Sequence, residues 1–385
     1  MLTERERLTD IQAAASTVKR TLLMIPGPTA IAAEVLAAGA RPVLSHSDPL
    51  MRSFVAESLA RLRNLFDAPA SQPIITAGSG TLAMDIGLAN LIEPGDRVLL
   101  IESGVFAGRF RTIAERNGAE VQITSAPLGR AIDADQVRRA IESFRPKVVT
   151  ITHVDTSTGV RLDVGTLSRL ARERDALVLV DGVCSIGGEE FHGDAWGVDV
   201  AITASQKAIG APPGLAIVTV GQRARAARDN RRTVFPGYFG TPAVTLLAML
   251  HTALEELAAE PMRQRVARHA WIASAFKAGV AALGLQNVAA PDANANTLTV
   301  VRNPEGVGDE LVDAVRMEGV TIARAIHPEL RGRSFRVGHM GICGPSEILT
   351  TLGALERALY RLGERIELGA GLAAAQSVLA NGPSS

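Results

Sequence analysis

ALVLVDGVCSIGGEEFHGDAWGVDVAITASQKAIGAPPG, residues 176–214, reads as two buried strands and the turns that follow them. ALVLV is short, wholly apolar and β-branched, as a parallel strand covered on both faces must be. It ends in Asp181. VDVAITAS is a second such run and stops at Ser205-Gln206-Lys207. AIGAPPG then breaks the backbone with glycine and proline before a third strand, LAIVTV. A carboxylate and an amine therefore sit just past the C-terminal ends of strands, where open α/β sheets hold their ligands.

Lysine usage sharpens this reading. Of 40 basic residues only four are lysines: Lys19, Lys147, Lys207 and Lys277. Lys19 lies in a polar leader, Lys147 just before a strand and Lys277 in a helical pattern, and all three are expected to face solvent. Lys207 alone stands at the functional end of a strand. Arginine keeps its proton and forms no imine, whereas lysine can lose the one and form the other. A lysine there could simply cap a loop. An acid at the end of the neighbouring strand favours a different role, because a pyridoxal phosphate site needs a carboxylate opposite its pyridinium nitrogen.

VDGVCSIGG followed by TASQKA resembles the class V aminotransferases of fold type I, specifically the alanine–glyoxylate and serine–pyruvate aminotransferase group. The likeness runs from LLMIPGPT at Leu22 to FRVGHMG at Phe335. It implies an α/β fold, with a mostly parallel central sheet flanked by helices and a smaller α+β C-terminal domain. The expected division is an N-terminal arm over 1–20, a large cofactor-binding domain over 21–258 and a small domain over 259–385.

Composition agrees with a large enzyme core. The chain has 385 residues, 47% hydrophobic and 21% charged. Its formal net charge is zero, so electrostatics give no case for nucleic acid or an anionic membrane. Cys184 and Cys343 are isolated and suggest neither disulfides nor a metal site. The start, MLTERERLTD, lacks an apolar signal core, and the expected location is cytoplasmic.

Along the chain, IPGPT at Ile25–Thr29 is a loop of restricted backbone, and Gly27 matches the family's glycine beside the substrate. Residues 49–68 carry a helical stripe of Met51, Val55, Leu59, Leu62 and Phe66, read as core. PIITAGSGTLAM is a strand running through Ser79-Gly80-Thr81 into a helix. Glycines let a backbone approach an anion, hydroxyls donate to it, and the helix start offers free N–H groups. A tight turn would look similar; the resemblance makes Ser79, Gly80 and Thr81 the phosphate-binding turn. Phe106 matches the aromatic position that stacks on the cofactor ring. The strand KVVTITHV opens into Asp155-Thr156-Ser157-Thr158-Gly159, where the resemblance gives Thr156 a contact to the ring hydroxyl. Gln206 and Lys207 match the family's cofactor-binding pair.

Near Tyr238 the sequence departs from the family, whose longer aromatic-rich segment before this point is mostly missing. Tyr238 and Thr241 keep the spacing of the pair that reaches a neighbouring subunit's phosphate, so the resemblance implies a homodimer with shared sites. Two long helices follow, over 241–259 and 261–284, and then strands NTLTVV, VTIARA and SFRVGHMG with a helix from Pro345. The alanine-rich tail from Leu368 is expected to be loosely held. In SFRVGHMG, Arg336 points away from Phe335 and Val337 and matches the family's carboxylate-binding arginine. His339 is a weaker candidate for the same pocket.

The implied reaction is a transamination through a Lys207 Schiff base, from alanine or serine to glyoxylate or pyruvate. Few charges besides Arg336 map to the site, which favours a small, uncharged donor side chain. Rival readings are a desulfurase, a lyase, an aminophosphonate or ureidoglycine aminotransferase, and a cofactor-free binding subunit. A desulfurase needs a reactive cysteine on a mobile loop, and neither Cys184 nor Cys343 is so placed. A nicotinamide-dependent dehydrogenase is disfavoured because no strand feeds a GxGxxG turn.

Overall fold

A computed structural model describes residues 21–229 and 240–383. The proposed arm over 1–20, Lys19, Tyr238 and most of the shortened segment lie outside the described residues. The centre is a seven-stranded sheet. Its strands in chain order are β1 (Gln72–Ala77), β2 (Arg97–Glu102), β3 (Glu120–Ser125), β4 (Val148–Thr152), β5 (Leu177–Asp181), β6 (Val200–Ala204) and β7 (Leu215–Val220). In space they run β1-β7-β6-β5-β4-β2-β3. All neighbours are parallel except β7, which is antiparallel to both β1 and β6.

Apolar strands make this sheet because both faces are covered. In β2, Leu99 and Ile101 enter one core while Val98 and Leu100 enter the other. The same alternation splits Val178 and Val180 from Leu177 and Leu179 in β5. One face is covered by α1 (Pro49–Leu65), α4 (Ala134–Phe144), α5 (Val164–Arg172) and α6 (Val244–Ala258). The other is covered by α2 (Gly80–Ala89) and α3 (Ala107–Arg116). Asp48, Ser79, Asp133 and Asp163 each cap a helix start with a side-chain oxygen.

A second core gathers residues of α7 (Met262–Ala282), β8 (Leu298–Arg302), β10 (Ser334–Gly338) and α8 (Pro345–Arg361). The run VTIARA divides here. Val320–Thr321 pairs with Leu22–Leu23, while β9 (Ala323–Arg324) joins a three-stranded sheet ordered β8-β10-β9. We propose the domain boundary after residue 258, with the qualification that Leu22–Met24 belongs by pairing and burial to the C-terminal unit.

Two expectations are corrected. The tail is not loose: α9 (Ala370–Leu379) packs on α7, and the Trp271 indole donates to the Val378 carbonyl at 3.1 Å. Small residues make that approach possible, since a Cβ on Gly279 would lie 2.9 Å from the Gly371 carbonyl oxygen. Nor does Lys277 face solvent. Its amine turns inward to the Ala295 carbonyl at 2.6 Å, and burial lowers its pKa to about 8.

Candidate active site

The C-terminal ends of β4, β5 and β6 converge on one cleft. Asp181 ends β5 and is 4% exposed. One carboxylate oxygen accepts the Val183 N–H at 2.9 Å. Burial outweighs that bond and the attraction of Lys207, raising the Asp181 pKa to about 6.

Lys207 is held by a loop that closes on itself. Ser205 donates from its hydroxyl to the Pro212 carbonyl and accepts from Leu215 N–H, pinning the start of the loop to its end. The Lys207 amine donates to the Pro26 carbonyl at 2.6 Å, and Thr29 donates to the Lys207 carbonyl at 2.9 Å. The IPGPT loop therefore lies against the lysine. Only glycine fits at Gly27, whose φ is +134° and where a Cβ would come within 2.6 Å of the Lys207 side chain.

Ser79, Gly80 and Thr81 form the first turn of α2 as the sequence suggested, with Ser79 as its cap. A Cβ on Gly80 would approach Val183 to 3.0 Å, so the turn packs on the residues after Asp181. Phe106 begins α3 and is half-buried, and its N–H donates to Asp155 at 3.0 Å. Thr156 is buried. Its neighbours are occupied within the fold: Ser157 donates to Asp155, and Thr158 to the Ser103 carbonyl.

Arg336 lies on β10 with Phe335 and Val337 buried on the opposite side. Its Nε donates to the Arg324 carbonyl at 2.8 Å and one terminal nitrogen to the Thr156 carbonyl at 3.4 Å. The strand alternation thus delivers the guanidinium to the cofactor cleft from the second core. His339 does not share that pocket. β10 ends at Gly338, and the wholly buried imidazole bonds to Thr299 and the Asn296 carbonyl. Gln206 is half-buried, and its side-chain carbonyl oxygen is buried without a hydrogen-bond partner among the described residues. Thr241 lies exposed just before α6, beside the edge strand β1.

A residue to which the sequence reading gave no role also contributes. Asp155 is fully buried and takes donors from Phe106, Ser157 N–H and the Ser157 hydroxyl, tying two site loops together. An acid at a strand end followed by three hydroxyl residues was the available signal. Cys184 is buried within reach of the Lys207 amine, and burial pushes its thiol pKa up. Cys343 is buried too, its pKa pushed up to about 12. Neither is the exposed, activated thiol of a desulfurase.

Buried titratable groups give the cofactor-free protein a specific acid response. Burial lowers the pKa of His153, His269 and His339 to about 3 each. A depressed histidine contributes stability that is present above its unfolded pKa of 6.5 and is lost as pH falls toward 3. Asp181 and Glu189, raised by burial to about 6 and 7, act oppositely between their unfolded and folded values. Three protons against two leave a shallow slope near pH 5. Below pH 4 the carboxyl offset shrinks while the folded histidines begin to take up protons themselves, and stability should fall by about 2 kcal/mol per pH unit. Melting temperature measured against pH checks this; a flat profile from pH 5 to 3 would contradict it.

Residues 36–323 match the family described as aminotransferase class-V. The chain belongs to the class V aminotransferases. An L-aspartate–glyoxylate aminotransferase of Paracoccus denitrificans is 33% identical, covering 92% of this chain and 95% of its own. The solved ureidoglycine–glyoxylate aminotransferase of Bacillus subtilis superposes with a TM-score of 0.90 at 30% identity, over 94% of this chain and 99% of its own. An alanine–glyoxylate aminotransferase from Nostoc sp. gives 0.85 at 31%, over 89% and 96%. This class V aminotransferase has the α/β architecture of fold type I and takes pyridoxal phosphate as its cofactor. The cleft fits that group: a glycine-lined lysine and a buried carboxylate lie within electrostatic reach of one another, and Gln206, next to the lysine in the chain, keeps a buried oxygen without a partner among the described residues. Among the described residues no helix is long and apolar enough to cross a membrane, and no cluster suits a metal ion.

Proposed function

We propose that this aminotransferase moves the amino group of a small, uncharged amino acid, alanine or serine, to glyoxylate, with pyruvate as a second acceptor. The observation that carries the proposal is the convergence of Lys207, Asp181 and Arg336 on one cleft. The three relatives above differ in the amino donor of their names and share glyoxylate as acceptor. Arg324, whose carbonyl accepts from Arg336, has its own charge paired with Asp309 and Asp313, which leaves Arg336 to meet a single carboxylate. That supports a donor without a second acid.

When bound, pyridoxal phosphate supplies the electron sink for the pair left at Cα as its proton departs. Asp181 holds the proton of the ring nitrogen by its charge. Lys207 would hold the cofactor through its amine and, once exchanged for the substrate's amine, would serve as base and then acid for the Cα proton. Gly27 leaves its amine room to swing. Ser79, Gly80 and Thr81 would hold the phosphate group, Phe106 would cover the ring, and Thr156 and Gln206 would contact it. Arg336 fixes the substrate carboxylate and so orients the Cα–H bond. Tyr238 and Thr241 would reach the site of a second copy in a homodimer. An exposed groove carrying Val43, Leu50 and Phe54 beside α6 supports that assembly. A cytoplasmic location remains part of the same reading.

The visible spectrum before and after alanine plus glyoxylate tests the assignment. A yellow band that bleaches with alanine and returns with glyoxylate is the expected result. Absence of a band after adding the cofactor would end it, and a band indifferent to alanine and serine would refute the donor. Arg336→Ala should raise KM for both substrates by about 10²-fold, since each hydrogen bond between charged groups contributes about 1.5–3 kcal/mol. An unchanged KM would remove Arg336 from the pocket.

A further inference from the structure

We propose that Arg109 binds the cofactor's phosphate group and supplies the charge that the Ser79–Thr81 turn lacks. The inference rests on the cofactor site proposed above. A phosphate monoester carries about −1.5 to −2 charges near neutral pH. A helix N-terminus offers about +0.5, and hydroxyls and amides add hydrogen bonds without net charge. Roughly one negative charge is left uncompensated, so the site needs a cation.

Arg109 stands where that cation is required. It lies one turn after Phe106 on α3, and its guanidinium carbon sits 4.5 Å from the Phe106 ring centre. One terminal nitrogen donates to the Thr81 hydroxyl at 2.6 Å. Among the described residues it forms no ion pair, whereas Arg116 at the other end of α3 pairs with Asp85. Its charge also reaches into the cleft, where it is one of the influences lowering the Asp181 pKa against burial. The other cations of the site are committed: Lys207 to Pro26, and Arg336 to Arg324 and Thr156.

The geometry suits anion capture. A guanidinium has five N–H donors in a planar fork, and the Thr81 bond uses one of them. The remaining edge can take two phosphate oxygens in parallel. Stacking on Phe106 and the bond to Thr81 restrict the side chain beforehand, so less conformational freedom is lost on binding. The arginine thereby links the aromatic that covers the ring to the turn that holds the phosphate.

The test compares pyridoxal phosphate with pyridoxal, which lacks the phosphate. Protein stripped of cofactor is titrated with each, and binding is followed by the visible band, without reference to turnover. Arg109→Gln should weaken pyridoxal phosphate binding at least tenfold and leave pyridoxal binding unchanged, while Arg109→Lys should recover part of the loss. Added salt should weaken wild-type binding more steeply than that of Arg109→Gln. Equal losses for both ligands would overturn the proposal, because Arg109 would then act through Phe106 packing. Affinity for pyridoxal phosphate within twofold of wild type would overturn it as well. Failure of the wild-type protein to bind pyridoxal phosphate would instead remove the site reading itself, and this inference with it.

Discussion

Replacing Lys207 by alanine should abolish transamination, with a loss of about 10⁴-fold or more. General acid–base catalysis alone contributes about 10²–10⁴-fold, and Lys207 is also the nucleophile that holds the cofactor aldehyde. Among the described residues no second group replaces it: Lys147 pairs with Asp96, and Lys277 is turned to Ala295. Cys184 lies beside it, but burial holds that thiol in its protonated form. Lys207→Arg should fail equally, because a guanidinium neither forms an imine nor gives up its proton at working pH. Rates of both half-reactions, measured beside melting curves that establish folding, decide the matter. Wild-type turnover in either variant would refute the assignment.

Asp181→Asn should leave the cofactor bound and cut the rate of Cα proton removal by about 10³-fold. The carboxylate is buried, so its attraction for a ring cation is little screened by water. At an effective dielectric of about 20, opposite unit charges at hydrogen-bond distance interact by about 5 kcal/mol. An amide of the same shape keeps the Val183 contact geometry and loses most of that energy. The effect should appear in kcat more than in substrate KM, because Arg336 rather than Asp181 meets the substrate carboxylate. A primary deuterium isotope effect at Cα should grow in the variant as proton removal becomes limiting. Unchanged single-turnover rates would show that the carboxylate does not support the ring.

Much of this was legible in the chain because it is local. β5 and β6 are apolar runs whose ends carry Asp181 and Lys207, so strand period and length place both groups at the same sheet edge. Ser79 caps α2 for the same local reason. The face of Arg336 followed from two-residue alternation in β10, and its proposed binding role from the family resemblance. His339 does not share that face: it stands three residues after Arg336, so alternation itself turns it to the opposite side, with Phe335 and Val337. Asp155 and Arg109 were given no role because their partners lie 49 and 28 residues away. No local pattern announces such contacts.

The tail and Lys277 show the same limit from the packing side. An alanine- and glycine-rich segment looks featureless in sequence, yet small side chains are what let α9 lie close against α7. A lone lysine in a helical pattern looks solvated, yet α7 turns it toward the 295 loop. The sequence by itself determined the parallel core strands and the strand ends that carry Asp181 and Lys207, since these rest on periodicity, while the fold type and the proposed role of Arg336 came through the family resemblance. Tertiary structure alone decided which carbonyl holds the Lys207 amine, which loops Asp155 joins, and where Arg109 puts its charge. Those depend on the packing of distant segments, and short-range order along a chain carries no record of it.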